Sequence, residues 1–344
     1  MTRGRRAVRL LAFLAVQLIV TAALVEGGVA LLLAHTPRVS ALRGLAREYY
    51  GAFDRAIVQT DPRFVRYDPE LVYTLRPGRF VFAQREFAHE FRVNSLGVRD
   101  EEAALDGPEI VVVGDSIAMG WGVTQEEAFP ALLARATGRR VLNAAVASYG
   151  TVREMRLLER IDRRRLAWVI VQYNANDVGE NRLFQQRGNV HMSASREKFE
   201  TSSRRYEAKR VYYPGKYAWQ SVRRLSRAIG ARVNPRRPRG PEPTIDEEAD
   251  AFLNALLRAG PVDFERVHVV VLEVTGEGAS SRLVPALRQR IARPDLPRGI
   301  RNAHLVDMNA RLGPDDFRVL DDHPNASAHR KMADAILATM GRSP

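Results

Sequence analysis

Residue types that cooperate in nucleophilic catalysis occur at two distant places in the chain. Ser116 lies in a Gly-Asp-Ser turn directly after the apolar run Ile110–Val113, and His323 lies near the C-terminus, next to Asp321 and Asp322. A serine hydroxyl is a weak nucleophile until a base takes its proton, and a neighbouring carboxylate fixes the tautomer of that base. Ser116 is therefore a candidate nucleophile and His323 a candidate base. The two-residue spacing favours Asp321 as the orienting carboxylate, with Asp322 as the alternative, because adjacent side chains tend to diverge.

Acyl transfer also needs hydrogen-bond donors aimed at the developing oxyanion. Two polar segments could supply them, Asn143–Thr151 and Gln172–Asp177. Each follows an apolar run with the character of a strand. If those strands are parallel, both segments leave the sheet at the same edge as Ser116.

The apolar runs alternate with helical patterns from Ile110 onward. Short, continuous apolar runs are typical of strands buried on both faces of a parallel sheet. The alternation predicts a doubly wound, flavodoxin-like α/β domain with a five-stranded parallel sheet flanked by helices. The predicted strands are Ile110–Val113, Arg140–Asn143, Trp168–Tyr173, Val267–Val274 and Ala303–Met308, and the predicted helices lie near Glu126–Thr137, Val152–Ile161, Ile245–Ala259, Ser281–Ile291 and Ala326–Met340.

In this order, the segments resemble the blocks of the SGNH (GDSL-like) hydrolase family, and most closely its membrane-anchored bacterial members. The resemblance covers roughly residues 65–340. It implies that Ser116 is the nucleophile and His323 the base. It also implies an oxyanion hole formed by the backbone N–H groups of Ser116 and Ser148 and by the side-chain amide of Asn176. It implies neither a cofactor nor a metal.

The chain departs from the family pattern at three positions. The glycines of the second and third family blocks are replaced by Ser148 and Asn174, and Leu320 stands where the family usually has its aspartate. A backbone N–H at Ser148 can still serve if the turn is kept. The third departure is the reason why the orienting carboxylate is sought at the two residues after Leu320.

The N-terminal segment has the composition of a membrane anchor. Arginines in residues 1–9 precede a nearly unbroken apolar stretch, Leu10–Leu33, which as a helix would be about 36 Å long, enough to cross a bilayer. The flanking arginines predict a cytoplasmic tail at 1–9, an anchor at 10–33 and a catalytic domain in the periplasm or outside the cell, held at the inner membrane by a single span. Glu26 interrupts the stretch near its distal end. The alternative is a cleaved signal peptide with Leu10–Val25 as its apolar region.

Three further regions complete the predicted organisation. Residues 34–108 are predicted to be a connector and a small β-rich extension, and residues 109–341 the hydrolase domain, with a basic insertion at 181–244. Pro235–Pro243 has the composition of an exposed linker. The chain has 344 residues and no cysteine, which excludes disulfides and thiolate metal sites.

The positive charge is concentrated in the insertion. The net charge is +13, and residues 196–240 hold 14 lysines and arginines against 3 glutamates. The pattern at Tyr217–Val233 predicts an amphipathic basic helix that contacts an anionic membrane, contacts an acidic glycan or packs on the sheet with a solvated basic face. Nucleic acid is not an expected partner for an extracytoplasmic domain.

The leading functional hypothesis is an esterase that removes O-acyl groups, such as acetyl, from an envelope or exported carbohydrate. An O-acyltransferase could use the same triad with a sugar hydroxyl replacing water, and a lipid esterase or lysophospholipase would also suit an anchored enzyme. A non-catalytic glycan-binding scaffold is the alternative from a different class.

Overall fold

The computed structural model describes residues 3–35, 40–233 and 243–341. Most of the predicted linker Pro235–Pro243, part of the predicted connector and the end of the basic insertion lie outside these residues. The strands are β1 (Val65–Asp68), β2 (Val72–Leu75), β3 (Gly78–Ala83), β4 (Ala88–Val93), β5 (Ile110–Val113), β6 (Val141–Asn143), β7 (Trp168–Tyr173), β8 (His268–Glu273) and β9 (His304–Asp307). The helices are α1 (Arg3–Ala34), α2 (Ser40–Tyr49), α3 (Ser116–Met119), α4 (Phe129–Thr137), α5 (Thr151–Leu157), α6 (Asp177–Gln186), α7 (Arg196–Arg210), α8 (Lys216–Val233), α9 (Ile245–Arg258), α10 (Leu283–Arg290), α11 (Arg298–Arg301) and α12 (Ala326–Met340).

The chain divides into two compact units. One comprises residues 1–55 and 208–242, and the other comprises residues 56–207 and 243–344. The division falls inside the predicted insertion 181–244, whose first part belongs to the larger unit and whose second part belongs to the smaller one.

The larger unit contains a five-stranded parallel sheet in the order β6-β5-β7-β8-β9. Every residue of β5 and β7 is buried, which explains why these strands are apolar throughout and do not alternate. The strand order is that of flavodoxin-like folds. β6 is added on one side of β5, and β7, β8 and β9 are added on the other, so the switch point of the sheet lies at β5. The predicted fold class is confirmed, and the five predicted strands agree with the observed ones to within one residue at each end.

Two antiparallel hairpins precede the sheet in the larger unit. β1 pairs with β2, and β3 pairs with β4. Phe82 and Phe91, on the second hairpin, are fully buried with the sheet residues in one continuous hydrophobic core. The second hairpin is therefore part of the core of the larger unit.

The smaller unit contains α1, α2 and α8. Arg5–Ala34 within α1 is long and apolar enough to cross a membrane, and none of its most apolar window is buried in the protein. This confirms a long apolar N-terminal helix, which length and composition make a candidate membrane span or signal sequence.

Candidate active site

Ser116 is positioned by the sharp turn that leaves β5. Gly114 follows the strand, and a Cβ atom there would lie 2.7 Å from Gln172 Oε1 and 2.9 Å from the Ala118 side chain, so only glycine fits. The next residue, Asp115, caps α3 by accepting a hydrogen bond from the backbone N–H of Ile117 at 2.9 Å. Ser116 is thereby the first residue of a helix at the carboxyl edge of the sheet, where it is half-buried.

The structure brings His323 and Asp321 to this serine. Ser116 Oγ lies 2.8 Å from His323 Nε2, and His323 Nδ1 lies 2.5 Å from Asp321 Oδ1. With the ring proton on Nδ1, His323 donates to Asp321, and Nε2 is left to accept the proton of the serine. Asp322 differs from its neighbour, since its nearest oxygen is 3.7 Å from Nδ1 and its side chain is 62% exposed, whereas that of Asp321 is fully buried.

Trp121 contacts both members of the histidine–aspartate pair. Its indole Nε1–H donates to Asp321 Oδ2 at 2.9 Å, and its ring stacks on the His323 ring with centroids 5.1 Å apart. Both oxygens of the buried carboxylate are thus occupied, one by the histidine and one by the indole. Trp121 was not among the predicted site residues, although its place five residues after the serine was a signal.

Glu86, in the turn between β3 and β4, holds the segment that carries Asp321. Its carboxylate accepts the backbone N–H groups of Val319, Leu320 and Asp321 at 2.9, 2.9 and 2.7 Å. Three consecutive amides on one carboxylate fix the backbone there, because charge-assisted hydrogen bonds are about twice as strong as neutral ones. This contribution of the hairpin was also missed.

Arg99 holds the segment that carries Trp121. It is fully buried, and its guanidinium donates to the carbonyl oxygens of Gly120 at 2.6 Å and Val123 at 3.0 Å. It also lies over the Phe91 ring, 3.8 Å from the centroid. Burial lowers the pKa of Arg99 to about 9, so it remains a cation at neutral pH and stabilises the carbonyl groups at the end of α3.

The predicted oxyanion residue Ser148 has the backbone conformation of a glycine. Its φ is +60°, in the left-handed region where side chains are unusual. This matches the family glycine that Ser148 replaces. Its hydroxyl accepts from Gln59 Nε2 at 2.7 Å, and the turn before it is held by Tyr73, whose hydroxyl donates to the Ala147 carbonyl at 2.6 Å.

Asn176 and Asn174 lie beside the turn that carries the serine. Each donates its side-chain amide to Asp115 Oδ2 at 3.1 Å. Burial raises the pKa of Asp115, and the hydrogen bonds from Ile117 and the two asparagines act in the opposite direction. An amide nitrogen carries two hydrogens, so the contact with Asp115 orients Asn176 and leaves one N–H for a substrate.

A buried acidic pair lies behind the predicted oxyanion segments. Glu154 and Asp177 are both fully buried, and among the described residues neither oxygen of Glu154 has a hydrogen-bond partner. Asp177 Oδ2 accepts from the hydroxyl of Thr151 at 3.1 Å. Burial, reinforced by Asp115 and by their own mutual repulsion, raises the pKa of Glu154 and of Asp177 well above the usual range. Burial therefore favours the protonated form of both carboxyl groups.

Asp321, Asp322 and His323 also offer ligand atoms within 4.8 Å of one another, a spacing that a metal ion could use. Both ring nitrogens of His323 are already engaged, by Asp321 and by Ser116. A metal at Nδ1 would replace the contact with Asp321 that orients His323 towards Ser116. The expectation of a metal-free site stays a prediction.

No model of a known protein family matches the chain, and no curated protein matches it. Solved structures match at low identity. One, described as a lipolytic protein of the G-D-S-L family from Desulfitobacterium hafniense, is 12% identical with a TM-score of 0.34, over 66% of this chain and 96% of that one. A family two carbohydrate esterase from Clostridium thermocellum is 12% identical with a TM-score of 0.38, over 69% and 65%. The salicylyl-acyltransferase SsfX3 from a tetracycline biosynthetic pathway is 16% identical with a TM-score of 0.34, over 70% and 56%.

The fold and the order of the site residues are similar to those of the SGNH (GDSL-like) hydrolases, the class that the sequence motifs resemble. A G-D-S-L family protein and carbohydrate esterases are both among the matched structures. With TM-scores below 0.5, these likenesses carry no weight for activity, which has to be argued from the contacts of Ser116, His323 and Asp321.

Proposed function

We propose that the protein is a serine esterase that removes O-acyl groups, most simply acetyl, from an envelope or exported carbohydrate. One observation carries the proposal, the continuous relay from Ser116 Oγ to His323 Nε2 at 2.8 Å and from His323 Nδ1 to Asp321 at 2.5 Å. The buried carboxylate stabilises the imidazolium that forms when the histidine takes the proton of the serine.

The reaction proceeds in two half-reactions. Ser116 Oγ attacks the ester carbonyl while His323 Nε2 accepts its proton, and the tetrahedral oxyanion is held by the backbone N–H groups of Ser116 and Ser148 and by the Asn176 amide. His323 then gives its proton to the departing alkoxide, which leaves as the sugar hydroxyl. Water attacks the acyl-enzyme, His323 accepts the water proton, and collapse releases the carboxylic acid and restores Ser116.

The carbohydrate and the location belong to the same proposal. The apolar helix α1 supports an inner-membrane anchor with the catalytic unit in the periplasm. An anchored enzyme on that side of the membrane would meet acylated envelope glycans. Complete release of the chain from membranes by alkaline carbonate would contradict the anchoring.

The test is hydrolysis by the purified full-length protein in detergent. We expect release of acetate from an aryl acetate and from at least one O-acetylated oligosaccharide, with Ser116→Ala as the matched inactive control. Activity on an acylated lipid alone would replace the carbohydrate in the proposal. Equal acetate release by the wild type and the Ser116→Ala variant would overturn the esterase.

A further inference from the structure

In the smaller unit, α8 is fastened to the candidate membrane span. The backbone N–H of Ala218, in the first turn of α8, donates to the Glu26 carboxylate of α1 at 2.9 Å. The face of α8 that carries Ser221 and Arg224 is tied to α2, where the Tyr49 hydroxyl lies 2.5 Å from Ser221 Oγ and Glu48 pairs with Arg224. The side-chain contacts of Ser221 and Arg224 show which face of α8 is turned towards α2, and the backbone contact of Ala218 ties the start of α8 to α1.

A second face of α8 is apolar and exposed. Trp219, Val222, Leu225 and Ile229 recur at helical spacing and are 53–63% exposed. Arg223 and Arg227, both exposed, lie along the next face of the helix. Exposing an apolar stripe of this length to water is unfavourable, so the stripe marks an interaction surface. An apolar face beside a basic one is typical of a helix that lies in a membrane interface.

The depth of α8 along α1 agrees with that position. Glu26 is followed by eight more residues of α1 before the helix ends at Ala34, a rise of about 12 Å. If the end of α1 reaches water, the start of α8 lies at the boundary between headgroups and acyl chains, where interfacial helices lie and where tryptophan is enriched. The bond from Ala218 also gives the Glu26 carboxylate a partner at a depth where an unpaired carboxylate is costly.

The same unit contains an open apolar groove between α1 and α2, lined in part by Val25, Val29, Leu32, Leu42 and Leu45. Leu31 of α1, which is 63% exposed, lines the groove as well. Acyl chains of a bilayer would fill such a groove, whereas a hydrated glycan would leave it exposed to water.

We propose that α8 is a membrane-interface helix, with Trp219, Val222, Leu225 and Ile229 inserted among the lipids and Arg223 and Arg227 on anionic headgroups. The inference rests on the membrane anchor in the proposed function. It assigns the basic part of the predicted insertion to the lipid surface and not to a glycan.

The test uses the intrinsic fluorescence of the full-length chain in lipid nanodiscs. The chain has three tryptophans, and Trp121 and Trp168 are only 2% and 4% exposed, so Trp219 is the one within reach of lipid or solvent. We expect lipids brominated on their acyl chains to quench most of the Trp219 emission, and Trp219→Phe to abolish that quenchable component. We expect Arg223→Gln/Arg227→Gln to lower the quenched fraction in anionic nanodiscs and to leave it unchanged in zwitterionic ones.

Three outcomes would overturn the inference. They are quenching of Trp219 by aqueous acrylamide but not by brominated lipid, protection of Trp219 by an acidic polysaccharide without lipid quenching, and crosslinking of position 219 to a second copy of the chain without lipid quenching. Fluorophosphonate labelling of Ser116 in the same nanodiscs separates this inference from the esterase. Labelling without lipid quenching rejects only the interface helix, and quenching without labelling rejects only the enzyme.

Discussion

Asp321 and Asp322 are adjacent in the chain but differ in their relation to His323. Asp321 is buried at 2.5 Å from Nδ1, and Asp322 is exposed at 3.7 Å. In Asp321→Asn the amide cannot fix the productive tautomer, so we expect kcat to fall by about 10³–10⁴-fold, the scale of such losses in serine triads. Asp322→Asn is the matched control, and its kcat should stay within a few-fold of the wild type. Equal losses in steady-state assays of the two variants would reject Asp321 as the orienting group.

The Trp121–Asp321 hydrogen bond predicts a shift of the pH profile. Trp121→Phe keeps an aromatic ring against His323 but removes the donor from Asp321 Oδ2. The carboxylate then stabilises the imidazolium more strongly, so we expect the acidic limb of kcat/KM to move to higher pH. We expect kcat to fall by about tenfold, the kinetic equivalent of one charge-assisted hydrogen bond. A lower rate with an unmoved acidic limb would mean that Trp121 acts by packing alone.

At this scale, sequence reasoning reaches the residues whose chemistry is visible in the chain. Ser116 and the pair at 321–323 stand out because a nucleophile, a base and a carboxylate have few substitutes. Trp121 and Glu86 have ordinary side chains, and their contacts join residues 200 or more positions apart in the chain. No periodicity or spacing carries that information, since it arises only when the hairpin and the C-terminal segment pack on the sheet.

Among the elements, the hairpin β3–β4 has a larger role than its predicted place as an extension indicates. Its turn residue Glu86 accepts three backbone amides of the segment that ends in Asp321. In Glu86→Gln one of the two acceptor oxygens becomes an N–H donor, so at least one of these amides loses its partner. We expect a loss of about 2 kcal/mol in the free energy of unfolding and about a tenfold loss of kcat with little change in KM.

Glu90→Gln on β4 is the matched control for that prediction. Glu90 is an exposed carboxylate of the same hairpin, and among the described residues its side chain makes only long ion pairs, at 3.6 Å to Arg79 and 3.7 Å to Arg92. Such pairs contribute little, so chemical denaturation and kinetics should resemble the wild type. If both glutamine variants behave alike, the hydrogen bonds of Glu86 to residues 319–321 do not position Asp321 for catalysis.

The elements themselves were largely predictable where burial dictates the pattern. The buried strands β5 and β7 were predicted with their observed bounds, as was helix α12, because continuous apolar runs and the helical period leave little freedom. Helix α4 begins at Phe129, later than the predicted Glu126. There the capping box of Thr124 and Glu127 closes a short 3₁₀ turn first. The polar helix α7 gave no signal, since its sequence has no apolar face.

For the whole molecule, the buried acidic pair predicts how stability depends on pH. The pKa of Glu154 is raised in the folded state by burial and by the charge of Asp177. Asp115 and Glu180 raise it further, and Arg153 acts in the opposite direction. A raised folded pKa means that the folded state binds the proton more tightly. The associated stability is present below the unfolded pKa of about 4.3 and is lost as the pH rises towards the folded value.

Glu154→Gln mimics the protonated side chain at every pH. We therefore expect the stability of Glu154→Gln to match that of the wild type below about pH 4 and to exceed it increasingly as the pH rises above that, by about 1.4 kcal/mol of unfolding free energy per pH unit until the folded-state carboxyl itself ionises. Thermal melts of both proteins across this range provide the measurement. Parallel curves at all pH values would show that Glu154 does not titrate in the folded protein.

The central claim is that Ser116 is an activated nucleophile, and covalent labelling tests it most directly. A fluorophosphonate reacts with a serine hydroxyl only when a base removes its proton. After incubation of the full-length protein, we expect peptide mass spectrometry to locate one phosphonylated residue, Ser116, with labelling strongly reduced in His323→Ala and absent in Ser116→Ala. An unlabelled Ser116 in the folded wild-type protein, or labelling that persists in His323→Ala at the wild-type rate, would contradict the relay and the esterase built on it.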